Sequence, residues 1–136
     1  MTDAAAGCAF SRALLAGEAG CTLARRGTRG EWESIACASP VASINCGTLL
    51  ALLRERSTFA LKLPPPSRPM PHVQSMRLQC GGATALARVL GAAKPDDIHQ
   101  LVAEARARWG DLSSLPFALV VADLAAWTPH RRSRSP

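Results

Sequence analysis

The chain has 136 residues and a formal charge of +6, with 48% hydrophobic residues but only 4% aromatic ones and no tyrosine. That length suits one domain, whose core must come mostly from leucine, alanine and valine, a composition that favours helices. No apolar run approaches the roughly 20 residues needed to span a bilayer, and the scarcity of aromatics argues against a base-stacking surface for nucleic acid.

The positive charge is clustered. Arg25, Arg26 and Arg29 form one group, and Arg131, Arg132 and Arg134 sit in a Ser/Pro-containing tail. Without a groove-reading motif, a solvated basic surface is expected rather than specific nucleic-acid binding. Residues 1–7 lack the basic start of an export signal, so the expected compartment is the reducing cytoplasm, where stable disulfides are uncommon.

In chain order, residues 8–46 mix cysteine, glycine and arginine with little periodicity and are expected to be loop-rich. Within them Phe10, Leu14 and Leu15 predict one side of a short helix that stops near Gly17 or Gly20, and Trp32 and Ile35 are expected to anchor the next turn. A firmer helix is predicted from Thr48, whose hydroxyl suits a cap, through Leu49, Leu50, Leu52 and Leu53 to about Phe59. The proline-rich run 64–71 cannot continue it, because proline lacks an amide donor and pushes its predecessor toward extended geometry. This connector divides a single domain, 1–136, into a cysteine-containing half, 8–63, and a helical half, 72–128, followed by a basic tail, 129–136.

In the second half, Ala83, Leu86, Ala87 and Leu90 have the spacing of one buried helical face, with Gly91 as the stop. The next helix places Pro95, Asp96 and Asp97 in its first turn. Its apolar stripe is Ile98, Leu101, Val102, Ala105 and Trp109, and Gly110 ends it. The last apolar segment, 117–127, is predicted as a helix starting near 113–116, although Phe117 to Val121 also suits a buried strand. The fold class is therefore mainly α: a small helical domain with a loop-rich, cysteine-containing N-terminal third.

Five cysteines, Cys8, Cys21, Cys37, Cys46 and Cys80, carry the chemistry. Four thiolates complete a structural zinc or an iron–sulfur cluster, and a metal crosslink would order a region poor in regular structure. Successive cysteines are separated by 12, 15, 8 and 33 residues, with no Cys-x-x-Cys pair. Iron–sulfur is placed ahead of zinc on that ground, since clusters gather dispersed cysteines, and nearby Arg25, Arg26 and Arg29 would offset the cluster's negative charge. His72, eight residues before Cys80, is a further candidate ligand.

The segment 74–91, from Gln74 through Cys80-Gly81-Gly82 to Gly91, resembles the nucleophile helix of the bacteriocin-processing cysteine peptidases. In those enzymes a glutamine precedes a Cys-Gly pair that opens an alanine- and leucine-rich helix. The resemblance implies Cys80 as nucleophile, its thiolate favoured by the helix N-terminus, and Gln74 as the oxyanion-stabilising residue. Gln79 stands where the family has an acidic residue, and the histidines available as a base are His99 and His130.

Three functions follow. The first is a metal-binding accessory protein, with four of the five cysteines holding an iron–sulfur cluster, or alternatively zinc, for electron transfer, cluster delivery or redox sensing, and with a protein partner. The second is a metal-free helical interaction module, and the third is a Cys80-dependent thiol enzyme.

Overall fold

The computed structural model describes residues 6–129, a mainly helical fold with one small sheet. The region expected to be loop-rich holds that sheet. Strand β1 is Ala6–Gly7, β2 is Ala24–Arg29 and β3 is Trp32–Cys37, in the antiparallel order β1-β3-β2. Arg29 pairs with Trp32, so Gly30 and Glu31 alone make the β2–β3 turn. Gly30 has φ +61°, the positive value that a two-residue hairpin needs at its first central position. Trp32 ends up 77% exposed and anchors nothing, whereas Ile35 is buried at 5%. The short helix α1, Ser11–Leu15, buries Phe10 and Leu14 as expected, but Ala13 rather than Leu15. Gly17, at φ +77°, follows its end.

Helix α2 runs Pro40–Leu61 and so begins eight residues before Thr48. Its cap is Ser39, whose Oγ accepts the Ala42 N–H at 3.2 Å, and Pro40 supplies a preset φ at the first helical position. The first two turns are poor in leucine, yet Ala42, Cys46, Leu49, Leu53, Ser57 and Leu61 continue one buried stripe at three- and four-residue steps. Lys62 ends the helix in the left-handed region, at φ 53°. The Leu63 N–H then returns to the Thr58 carbonyl at 3.0 Å, closing the last turn. The proline-rich connector carries no helix or strand.

Residues 72–89 form one continuous helical rod: α3 (His72–Met76), a π-helical turn (Arg77–Gly81) and α4 (Gly82–Val89). Gly81 and Gly82 let other helices approach the rod. A Cβ on Gly81 would lie 3.0 Å from the Trp127 Cβ and 3.1 Å from the Leu124 carbonyl oxygen. One on Gly82 would lie 2.7 Å from a Leu53 methyl group. Helix α5 is Ile98–Trp109 and α6 is Phe117–Ala126, with a 3-10 turn at Leu112–Ser114 between them. Gly91 and Gly110, at φ +83° and +81°, stop α4 and α5. The core joins Leu49 and Leu53 of α2, Leu86 of α4, Leu101 and Val102 of α5, and Val120 and Leu124 of α6 to Phe10 and Ile35 of the N-terminal third. Among the described residues no helix is long and apolar enough to cross a membrane.

Candidate thiol cluster

Cys8, Cys21, Cys37 and Cys46 line one apolar cavity of about 20 Å³, together with Phe10, Ala42, Ile98 and His99 among others. Each thiol arrives from a different piece of structure. Cys8 leaves β1 and donates its N–H to the Ile35 carbonyl at 3.1 Å, which seats it beside the sheet. Cys37 ends β3 two residues beyond the buried Ile35, so strand alternation turns both to the same face. Its thiol donates to the Ser39 carbonyl at 3.2 Å. Cys46 lies on the buried stripe of α2, one helical turn after Ala42.

Cys21 is held by helix α5. The Gly20 N–H donates to the Pro95 carbonyl at 3.0 Å and the Ile98 N–H donates to the Gly20 carbonyl at 2.8 Å. Next to it, the Asp97 carboxylate accepts the Thr22 N–H at 3.1 Å and the Thr22 hydroxyl at 3.1 Å. Asp97 was expected in the first turn of the helix; it precedes Ile98, makes no side-chain cap, and ties the Cys21 segment down instead. Nothing local in the sequence signals a Thr22–Asp97 pairing, because the two residues are 75 positions apart.

All five cysteines are free thiols. Burial pushes the Cys46 thiol up to about 12, with repulsion from charge on Cys21, Cys8 and Cys37 acting in the same direction. Burial also raises the Cys8 pKa; the Phe10 backbone N–H opposes the shift, and Cys21 and Cys37 add to it. The apolar walls disfavour a thiolate at Cys46, which stays protonated at neutral pH. Among the described residues no group of three or more His, Cys, Asp or Glu side chains is drawn tightly enough around one point to hold a metal ion.

The sequence offers His99 only as a base for Cys80. His99 is half-buried and borders the thiol cavity. Arg25 and Arg26, near the cysteines, bond to backbone carbonyls. Arg25 donates to the carbonyls of Thr22 and Ala24, and Arg26 to that of Leu14. His130, Arg131, Arg132 and Arg134 lie outside the described residues.

Cys80 does not line this cavity. It is 0% exposed and lies in the π-helical turn, eight residues into the helical rod, so no free helix N-terminus faces it. Burial, with repulsion from Glu18 second, pushes its thiol up to about 11, the opposite of what a thiolate nucleophile requires. Gln74 donates its amide to the Leu61 carbonyl at 3.0 Å, at the end of α2. The side-chain oxygen of Gln79 accepts the Arg12 N–H at 2.9 Å and the Ala13 N–H at 3.4 Å, closing the start of α1 from outside. His72 is occupied by Arg12 at 2.9 Å. No family model, curated protein or solved structure matches this chain.

Proposed function

We propose that the chain is a metal-binding accessory protein in which Cys8, Cys21, Cys37 and Cys46 hold one soft metal ion, zinc before others. The observation that carries this reading is the convergence of four thiols, from four separate segments, on a single apolar cavity. Four sulfur donors match the tetrahedral preference of zinc, and an ion bound there would crosslink the sheet, α2 and the segment docked on α5. Ligation at about 2.3 Å requires the four sulfurs to close inward. Cys8 and Cys21 lie outside the helices and strands, each anchored through its own or a neighbouring backbone bond.

The size of the space favours an ion over an iron–sulfur cluster. A cavity of about 20 Å³ has room for roughly one water-sized sphere, less than a cluster with its bridging sulfides needs. Cys80 has no part in this reading. Delivery of metal and redox sensing both remain compatible with such a site.

Metal analysis and an ultraviolet–visible spectrum of anaerobically purified protein test the proposal. Stoichiometric zinc in a colourless protein is the expected result, lost in Cys46→Ala and retained in Cys80→Ala. Strong visible sulfur-to-iron absorption would establish a cluster in its place. Folded, colourless, metal-free protein would favour the interaction module. A specific observation supports that second reading: Val41, Ile44 and Phe59 are 66%, 67% and 94% exposed on the outward side of α2. Val41 and Phe59 are about five full turns apart and therefore share one stripe.

A further inference from the structure

We infer that the outer edge of β2 binds an extended acidic segment of a partner protein, which adds to the sheet as a further strand. This inference does not depend on the metal-binding reading. The order β1-β3-β2 pairs β2 on one side only, and residues 25–28 are all exposed.

The register fixes which backbone groups that edge presents. Arg29 and Trp32 flank a two-residue turn and so form a hydrogen-bonded pair, as do Gly27 with Ser34 and Arg25 with Ala36. Two further bonds agree with this phase: the Ala38 N–H donates to the Leu23 carbonyl at 2.9 Å, and the Ile35 carbonyl turns away from β2 to accept the Cys8 N–H. Arg26 and Thr28 therefore direct their N–H and C=O groups outward, and no described residue bonds to them. Donors that alternate with acceptors along a strand are complementary to another peptide backbone.

Charge selects the kind of peptide. Strand β2 reads Ala-Arg-Arg-Gly-Thr-Arg, with three cations and no acid. Arg25 and Arg26 each use one guanidinium nitrogen on backbone carbonyls, and neither is in an ion pair with a described carboxylate. Arg26 lies opposite Ile35 and shares its face of the sheet, whereas Arg25 lies on the other face. Two successive acidic residues on an added strand would each meet one of them. A second copy of β2 is the wrong occupant, since it would set three cations against three. Nucleic acid fits poorly as well, because phosphates offer only acceptors and half of the outward groups are carbonyls.

The test is binding of a fluorescein-labelled peptide, Thr-Val-Glu-Glu-Val-Thr, to the full-length chain by fluorescence anisotropy, with amide hydrogen exchange in the complex followed by NMR. Saturable binding is expected, with exchange slowed at Arg26 and Thr28 and unchanged at Arg25 and Gly27, whose N–H groups already face β3. Joint Arg25→Gln and Arg26→Gln substitution is expected to weaken binding by roughly 10-fold. Thr28→Pro should abolish it while sparing the β2–β3 ladder, since proline is tolerated where a strand's N–H faces outward. A peptide methylated on its backbone nitrogens should not bind the unmodified chain, a result that needs no variant to fold. Equal binding of the methylated peptide, or binding without slowed exchange at Arg26 and Thr28, overturns the inference. Absence of binding at millimolar peptide overturns it too. So does tighter, competitive binding of a short single-stranded RNA, which would make β2 a nucleic-acid surface.

Discussion

Cys46 and Ser57 lie about three turns apart on the buried stripe of α2, and each places a polar-capable group among apolar neighbours. Ser57 is 0% exposed and its Oγ finds no hydrogen-bond partner among the described residues. A desolvated hydroxyl with nothing to bond costs more than it contributes, and alanine is the better helix former. Ser57→Ala is therefore expected to stabilise the fold by about 1 kcal/mol, read as a rise in the denaturant midpoint. A fall in that midpoint would mean that the hydroxyl is satisfied.

Cys46 sets a pH dependence whose sign follows from its protonation. The folded chain holds this thiol's proton more tightly than the unfolded chain does, since burial raises its pKa from the ordinary thiol value of 9.0 to about 12. In metal-free protein the associated stability is fully present below the unfolded pKa and is lost as pH rises from there toward 12. Cys46 alone accounts for a loss of about 1 kcal/mol by about pH 10, and the raised pKa of Cys8 adds to it. Denaturation of the unmodified chain and of Cys46→Ala at about pH 7 and about pH 10 measures the difference. Equal pH dependence in the two proteins would remove Cys46 as its source.

Among the elements, two backbone positions show where substitution meets rigid structure and where it does not. A Cβ at Gly20 would lie 2.6 Å from the Asp96 carbonyl oxygen, and backbone on both sides is held by the bonds to Pro95 and Ile98. Gly20→Ala must push that segment off α5, and we expect a loss of about 2 kcal/mol with faster hydrogen exchange at Ile98. Lys62 is the opposite case. It alone among non-glycine residues 6–129 has positive φ, and it ends α2 where glycine is the natural residue. Lys62→Gly should raise stability by about 1 kcal/mol in equilibrium unfolding, because the left-handed conformation no longer carries a Cβ.

The helices differ in how readily the sequence reveals them. Helices α5 and α6 were legible because an apolar stripe, a glycine stop or a preceding proline coincide within a dozen residues. Helix α2 was legible only from Thr48 onward, since the turns before it carry Val41, Ala42, Ile44 and Cys46 in place of leucines. Ser39-Pro40 was the local signal for its true start. Strand β2 left no such pattern. Described side chains Arg25 to Thr28 are all exposed, so neither face has an apolar alternation to read.

For the molecule as a whole, the metal proposal makes a thermodynamic prediction that does not depend on any assay of function. An ion that binds only the folded chain stabilises it in proportion to the logarithm of its concentration. Zinc at a hundredfold excess over its Kd should raise unfolding stability by about 2.7 kcal/mol, and a chelator should reverse the gain. The same titration on Cys46→Ala should show a much smaller shift.

Local order along this chain follows from short-range rules: 3.6-residue apolar periodicity, glycine at positive φ and proline in the connector bring the mainly helical class within reach of sequence reading. The meeting of Cys8, Cys21, Cys37 and Cys46 beside His99 does not, because intervals of 12, 15 and 8 residues favour no particular chelating geometry. Pairing of β1 with β3 brings Cys8 beside the strand that carries Cys37, the Gly20 and Asp97 bonds bring Cys21 to α5, and packing of α2 against α5 supplies Cys46 and His99. Those are contacts between residues distant in the chain, and their geometry exists only once the elements have packed.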